Sequence, residues 1–387
     1  MNKLRVFEAF TGYGSQSIAL RNLGVDYEVV AISEIDKYAI KAYYALHDTD
    51  IPNLGDICKI KVEDIPKHDL FTYSFPCQDL SVAGKQAGLS KGTRSGLLYE
   101  CEKIIEYCKP KYLLLENVKN LVGKKFKPQF DEWLDYLESL GYTNYWKVLN
   151  AKDYGVPQNR ERVFVVSILG DHKPYKFADK IPLDKCIADI LENEVDEKYY
   201  INKPFHPLTT MQGGMREPKI LCEGNIYPSG GQNGNIYNAE GICPTINAGI
   251  GVKGNGIGSN NAPKILLPCI AASRGRNPNN PSDRTPGAPT EQRLEFNTKG
   301  TSNTITTVQK DNYVVEPTFR IRKLTPRECF RLMGMKDDDI DKIQQAGISN
   351  TQQYKLSGNS IVVNVLEAIF KKLFLQGEYN EQIQRNI

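Results

Sequence analysis

From the first residues to Gly170, short runs of apolar and β-branched residues alternate with stretches whose apolar positions recur every three or four residues. That alternation is how strand–helix–strand units of a parallel sheet read, with strands buried on both faces and helices on one. Leu4 to Phe10, Tyr27 to Ser33, Leu70 to Ser74, Tyr112 to Leu115 and Arg162 to Leu169 are the expected strands. Ser15 to Leu23 (stopped by Gly24), Glu34 to Leu46, Leu97 to Cys108 and Pro128 to Leu140 (stopped by Gly141) are the expected helices. The class expected is α/β, doubly wound and Rossmann-like.

The texture changes after residue 173, where Gly, Asn, Pro and Thr dominate and helical spacing vanishes until Thr325. Such a stretch reads as turns and short strands. It carries a weak repeat, with Thr-bearing turns around Thr209, Thr245 and Thr306, each followed by an extended apolar tag such as Asn312-Tyr313-Val314-Val315. Helical pattern then resumes, with Thr325 as N-cap, Pro326 at the first helical position and an amphipathic stretch from Ile361 to Leu373. Three segments result, 1–172, 173–318 and 319–387, the last returning to the first.

Composition narrows the class without naming a chemistry. Charged residues at 25% and the hydrophobic set at 40% fit a folded globular chain. No apolar run approaches the roughly 18 residues of a membrane span, and the start lacks the apolar stretch of a signal peptide, so a cytoplasmic protein is expected. The nine cysteines form no Cys-x-x-Cys pair and have no histidine cluster beside them, so no metal site is expected and most should be reduced and buried. A formal charge of +3 is too small to demonstrate a nucleic-acid partner, and any basic face must be local.

Candidate chemistry gathers at the expected strand ends. Phe10-Thr11-Gly12-Tyr13-Gly14 joins a strand to a helix, where glycines let a nucleoside-bearing ligand approach the backbone; a merely tight turn is the alternative. The third glycine of a dinucleotide fingerprint is absent, which disfavours a pyrophosphate ligand. Glu34 ends the next strand, where it could accept ribose hydroxyls or simply favour the dipole of the helix it opens. Asp56, in Gly55-Asp56-Ile57 at the following strand end, could accept an adenine amino group or be an ordinary turn aspartate. Cys77, in Phe75-Pro76-Cys77-Gln78, and Glu116, in Glu116-Asn117-Val118, both fall at the carboxyl edge of the sheet, where doubly wound folds bind ligands.

These motifs, in this order, resemble the DNA cytosine-C5 methyltransferase family. Phe-x-Gly-x-Gly at 10 to 14, the acid Glu34, Pro-Cys-Gln at 76 to 78, Glu-Asn-Val at 116 to 118 and Gln158-x-Arg160-x-Arg162 are joined by Arg322 to Glu328 and Gly358-Asn359-Ser360. The resemblance implies S-adenosylmethionine (AdoMet) as cofactor and a cytosine flipped from duplex DNA as substrate. It implies Cys77 as nucleophile at carbon 6, Glu116 as proton donor at N3, Arg162 on the cytosine O2 and Arg160 in support. It places Phe10, Gly12, Gly14, Glu34, Ile35, Asp56, Ile57, Pro76, Leu97 and Asn359 around the cofactor. The Gly-rich loop after Pro-Cys-Gln, with Ser81, Lys85 and Arg94, would close on DNA, and residues 173–318 would form a target-recognition domain. Within that region Arg274 and Arg276, in the turn Ser273 to Asn277, are the candidate guanine readers. A monomer without an obligate protein partner is expected.

Two rivals are weaker. A tRNA-modifying relative would carry Cys-Phe-Thr, whereas Cys329-Phe330 is followed by Arg331; a non-catalytic DNA-binding regulator would have no use for an intact Cys77, Glu116 and Arg162.

Overall fold

The structure, a computed structural model, describes residues 3–76, 95–186, 188–199, 222–225, 235–237, 269–277, 290–297, 302–303, 313–315 and 321–376. The chain divides into two compact units, residues 1–185 with 329–387 and residues 186–328.

In the first unit, strands β1 (Leu4–Ala9), β2 (Tyr27–Ser33), β3 (Leu70–Tyr73) and β4 (Tyr112–Val118) lie parallel. Helices α1 (Ser15–Asn22), α2 (Lys37–His47) and α3 (Leu98–Cys108) lie between them in the chain, and α4 (Lys127–Ser139) follows β4. Beyond β4 come β5 (Tyr142–Asn150), the two-residue β6 (Gln158–Asn159) and β7 (Glu161–Leu169). The six-stranded order is β2-β1-β3-β4-β7-β5, with β7 antiparallel to both neighbours. The chain therefore reverses its direction of travel across the sheet between β1 and β3. In such sheets that switch point leaves a crevice at the carboxyl ends of the strands.

Strand β5 is absent from the expected elements, for a physical reason. It is an edge strand with Thr143, Trp146 and Lys147 exposed, so its sequence never forms a buried apolar run.

The two faces of the sheet sort by parity, because successive side chains of a strand point to opposite sides. Leu4 and Val6, Tyr112 and Leu114, and Phe164, Val166 and Ile168 join one cluster with Ile18 and Leu20 of α1. Phe7 and Ala9, Leu113 and Leu115, and Val163 and Val165 join the other with α3 and α4. Each fully buried Leu, Ile or Phe contributes roughly 1.5–3 kcal/mol. Glu8 falls on the α1 face and is fully buried.

The late segment completes the first cluster. After α5 (Pro326–Arg331), α6 (Asp337–Gln345) and α7 (Asn350–Asn359), helix α8 (Val363–Phe370) buries Val363, Leu366, Ile369 and Phe370 in that cluster. Asn22 also donates its side-chain amide to Glu367 of α8 at 2.7 Å. The expected stretch Ile361 to Leu373 is thus α8, starting at Val363, plus a π turn over Lys371–Leu375.

In the second unit, β8 (Cys222–Asn225) pairs with β9 (Asn235–Tyr237), and β10 (Cys269–Arg276), β11 (Glu291–Asn297), β13 (Tyr313–Val315) and β14 (Ile321–Lys323) form an antiparallel sheet of order β11-β10-β13-β14. A two-residue β12 (Ser302–Asn303) precedes β13. Thr325 and Glu328 close a reciprocal capping box. The Thr325 amide donates to Glu328 Oε2 at 2.8 Å, and the Glu328 amide donates to Thr325 Oγ1 at 3.2 Å. The turn threonines Thr209, Thr245 and Thr306 lie outside the described residues. Among the described cysteines burial is not the rule, since Cys101 and Cys329 are buried while Cys58 and Cys186 are exposed.

Candidate active site

The glycine turn leaves β1 at the switch point with three residues in left-handed geometry, Phe10 (φ 54), Gly12 (φ 60) and Gly14 (φ 83). A non-glycine residue there is uncommon, and the strain belongs to the turn itself. A Cβ on Gly14 would lie 2.4 Å from His47 Nε2 and 2.6 Å from the Tyr43 ring, whereas one on Gly12 would meet nothing within 4 Å. The turn is packed from beneath at Gly14 and open above Gly12.

Charged and polar groups hold this turn. The Gly12 amide donates to Glu34 Oε2 at 3.0 Å, and the amides of Ile35 and Asp36 donate to Glu34 Oε1, each at 2.9 Å. Helix α2 is capped by Asp36, which accepts from the Tyr38 amide at 2.8 Å. Glu34 is therefore not the helix cap but a link between the glycine turn and the end of β2. Asn53 fixes its backbone, accepting from the Glu34 amide at 3.1 Å and donating to the Glu34 carbonyl at 3.0 Å. Beneath, His47 Nε2 lies 3.0 Å from the Tyr13 carbonyl, and the buried Glu8 accepts from Ser17 Oγ at 2.8 Å and from Thr11 Oγ1. Burial pushes the Glu8 carboxyl up, opposed by these hydroxyls.

Sequence reasoning passed over Glu8, His47 and Asn53. Only Glu8 left a signal there, as a lone charge inside an apolar strand.

Around the turn, Ile35 is 73% exposed, an apolar surface beside Glu34. Asp56 does not end a strand. It caps the 3-10 turn Ile57–Lys59 by accepting from the Cys58 amide at 3.1 Å, with Ile57 buried. Leu97 closes the 3-10 turn Ser95–Leu97 before α3 and packs on the core.

The second half of the site sits at the ends of β3 and β4. Glu116 and Arg162 occupy the same face by parity, and Arg162 Nε lies 3.3 Å from Glu116 Oε1. Burial pushes the Glu116 carboxyl up from its usual range, while Arg162 and then Arg160 pull it down; the net direction is up. Asn117, almost fully buried, donates to the Phe75 carbonyl at 3.0 Å and so fixes the segment leading to Pro76. Its role was not read from the sequence, where it stands only as a motif letter. Cys77, Ser81, Lys85 and Arg94 lie outside the described residues.

Buried Arg160 reaches into the C-terminal segment, its Nη2 donating to the Gly358 carbonyl at 3.0 Å and the Ser360 carbonyl at 2.7 Å. Between them Asn359 is exposed and is the last residue of α7, not part of a turn outside a helix. Gln158 donates to the Leu332 carbonyl at 2.6 Å. Arg274 and Arg276 occupy alternate positions of β10, not a turn, and Arg274 is the register partner of Arg293 on β11.

A family model for C-5 cytosine-specific DNA methylase matches residues 4–375. The chain belongs to that family. As a C-5 cytosine-specific DNA methylase, it is a DNA cytosine-5-methyltransferase that uses AdoMet. It is 36% identical to type II methyltransferase M2.ScrFI of Lactococcus lactis subsp. cremoris, over 96% of this chain and 99% of that relative. It is also 36% identical to orphan methyltransferase M.SPRI of Bacillus phage SPR, over 96% of this chain and 98% of the other. Two solved structures share the fold at 18% identity. They are the Entamoeba histolytica methyltransferase EhMeth, TM-score 0.62, and the S. pombe Dnmt2 methyltransferase, TM-score 0.59, each alignment covering 97% of this chain and 99% of the other. The doubly wound methyltransferase fold is thereby established for this methylase. No helix among its described residues is long and apolar enough to cross a membrane.

Proposed function

We propose that this chain methylates cytosine within a specific duplex sequence by base flipping and a covalent bond from Cys77 to cytosine carbon 6. One observation carries the reading: the Glu116–Arg162 pair and the Asn117-fixed approach to Pro76 stand at the same carboxyl edge of the sheet as the glycine turn, on the other side of the β1/β3 switch point.

The residues present fit the cofactor. The space above Gly12 accepts a ligand, Glu34 keeps carboxylate lone pairs for ribose hydroxyls, and exposed Ile35 offers a flat apolar contact for a base. Phe10, the Gly14 backbone, Asp56, Ile57, Pro76 and Leu97 would complete the wall, and Asn359, whose neighbours Gly358 and Ser360 are held by Arg160, would face the methionine end. AdoMet, when bound, supplies an electrophilic methyl group on a sulfonium.

Carbon 5 of cytosine is too poor a nucleophile to attack unaided. The Cys77 thiolate adds to carbon 6, and the negative charge that develops in the ring takes a proton at N3 from Glu116. A buried carboxyl with a raised pKa retains its proton nearer neutrality than an exposed one, which suits that donor. Arg162 hydrogen-bonds the cytosine O2 and steadies Glu116. After the methyl group joins carbon 5, loss of the carbon 5 proton to a base, return of the N3 proton to Glu116 and expulsion of the Cys77 thiolate restore the aromatic ring. The attack runs perpendicular to the ring, so the base must leave the stack, at a cost of a few kcal/mol. Residues 173–318 would supply target recognition, with the loop bearing Ser81, Lys85 and Arg94 closing on the DNA. The names of the relatives fit a setting of restriction–modification or phage DNA protection.

Duplex DNA containing 5-fluorocytosine tests the reading, because fluorine at carbon 5 blocks the final elimination. Wild type with AdoMet should form a complex that survives denaturation, and Cys77→Ala should form none while still binding AdoMet. A denaturation-resistant complex with Cys77→Ala would sink the assignment.

A further inference from the structure

Immediately past Glu116-Asn117-Val118 the chain carries four lysines, Lys119, Lys124, Lys125 and Lys127, with no Asp or Glu from Asn117 to Phe130. The net charge of +3 over the whole chain makes such a local excess conspicuous. Three of the four have internal contacts, among them Lys125, whose ammonium lies 5.2 Å from the Phe126 ring centre. Lys119 Nζ lies 2.9 Å from Glu161 Oε2, and Lys127 pairs with Asp131 while its ammonium lies 5.5 Å from the Trp146 ring centre.

Lys124 and Lys125 are both exposed, and Lys124 has no ion pair among the described residues. Their position is built, not incidental. Leu121 and Phe126, on either side, are both buried in the core under α3 and α4. The Gly123 amide donates to the Asn120 carbonyl at 2.9 Å, and the Phe126 amide donates to the Gly123 carbonyl at 3.0 Å. A Cβ on Gly123 would lie 2.9 Å from Asn120 Oδ1 and 3.0 Å from the Asn120 carbonyl oxygen, so the turn closes tightly. Anchored at both ends, the segment turns Lys124 and Lys125 outward just beyond the strand that delivers Glu116.

We propose that Lys124 and Lys125 are a phosphate-binding turn that grips the backbone of the substrate duplex beside the target cytosine. The inference rests on the function proposed above, since it needs DNA at the Glu116 edge. A compact ammonium on a flexible stem binds phosphate as a point charge and carries no base information. The turn therefore adds affinity and salt dependence and leaves sequence preference to other residues. A turn anchored at both ends presents the two lysines to the DNA backbone without a loop having to order first.

The experiment compares wild type with Lys124→Gln, Lys125→Gln, the double variant and the charge-retaining pair Lys124→Arg/Lys125→Arg. Equilibrium binding to a labelled duplex is measured over a series of NaCl concentrations, with methylation rates on the same DNA. Removing one lysine–phosphate pairing should make the slope of log affinity against log salt shallower by about 0.9. The double Gln variant should raise KM for DNA on the order of tenfold at fixed salt, with AdoMet affinity and site preference unchanged, and the Arg pair should restore the wild-type slope. An unchanged slope in the double Gln variant, with wild type methylating normally, overturns the lysine assignment alone. A wild type that binds AdoMet but methylates no cytosine overturns the reading of the site and this inference with it.

Discussion

Gly12 and Gly14 share a left-handed backbone but face opposite surroundings, and this separates cofactor binding from stability at the scale of one residue. Alanine at Gly14 must fit its Cβ against His47 and Tyr43 and hold φ near 83, so overpacking and backbone strain should together cost about 2–4 kcal/mol. Alanine at Gly12 meets open space, so only the backbone cost of about 1–2 kcal/mol remains, while its methyl group intrudes where the cofactor would lie. Thermal denaturation and AdoMet calorimetry should therefore rank the two differently. Gly14→Ala should lose the larger share of stability, and Gly12→Ala should lose AdoMet affinity out of proportion to its melting temperature. Equal losses of both quantities in both variants would contradict this division. The glycine motif was legible because its geometry is local; which glycine serves packing was not, since Tyr43 and His47 arrive from a helix some thirty residues later.

Helix α2 shows the same limit one scale up, and its pH behaviour gives a test. Its apolar spacing announced a helix, but its cap came from Asp36 and not Glu34, because Glu34 is occupied by the glycine turn. At its other end His47 reaches the Tyr13 carbonyl, and its pKa is pushed down to about 4, chiefly by burial, with Arg21 and Lys342 adding repulsion. The sign follows from linkage. Between 6.5 and about 4 the unfolded chain binds a proton at this site that the folded chain refuses. The contribution is thus complete above pH 6.5 and lost as pH falls towards 4. It amounts to no more than about 3 kcal/mol, reduced by the part of the ring that still meets solvent. His47→Gln keeps an amide donor without the titration. Denaturant unfolding at pH 7 and pH 4.5 should show wild type losing more stability than the variant, and an equal loss would exclude His47 as the titrating group. The edge strand β5 teaches a related lesson: a strand that packs on one side and meets water on the other presents no apolar run, so it was missed beside its well-predicted neighbour β7.

At the scale of the molecule, the doubly wound sheet could be read because βαβ units announce themselves by alternation, and the late helices because α8 carries an apolar stripe. The reason for the chain's return was hidden in Arg160, whose grip on the Gly358 and Ser360 carbonyls joins residues about two hundred positions apart. The second unit was least legible, since its Thr- and Asn-rich sequence repeats only weakly and carries no helical spacing, and there a strand replaced an expected turn. That change sharpens the proposal for DNA reading. On β10, Arg274 and Arg276 are two positions apart, and Arg293 of β11 is the register partner of Arg274. The major groove admits a two-stranded β-ribbon and offers guanine O6 and N7 to a bidentate guanidinium, so each of these three arginines is a candidate reader. Arg274→Ala, Arg276→Ala and Arg293→Ala, each assayed for methylation across a library of duplex sites at fixed salt, should separate readers from clamps. A reader should relax preference at one base position, losing about 1–3 kcal/mol of discrimination there, whereas a phosphate contact should weaken every site alike. Because Arg274 and Arg293 are cross-strand neighbours, their effects should fall on the same or adjacent base pairs; uniform losses in all three variants would remove this ribbon from target recognition and direct attention to the Thr-bearing turns.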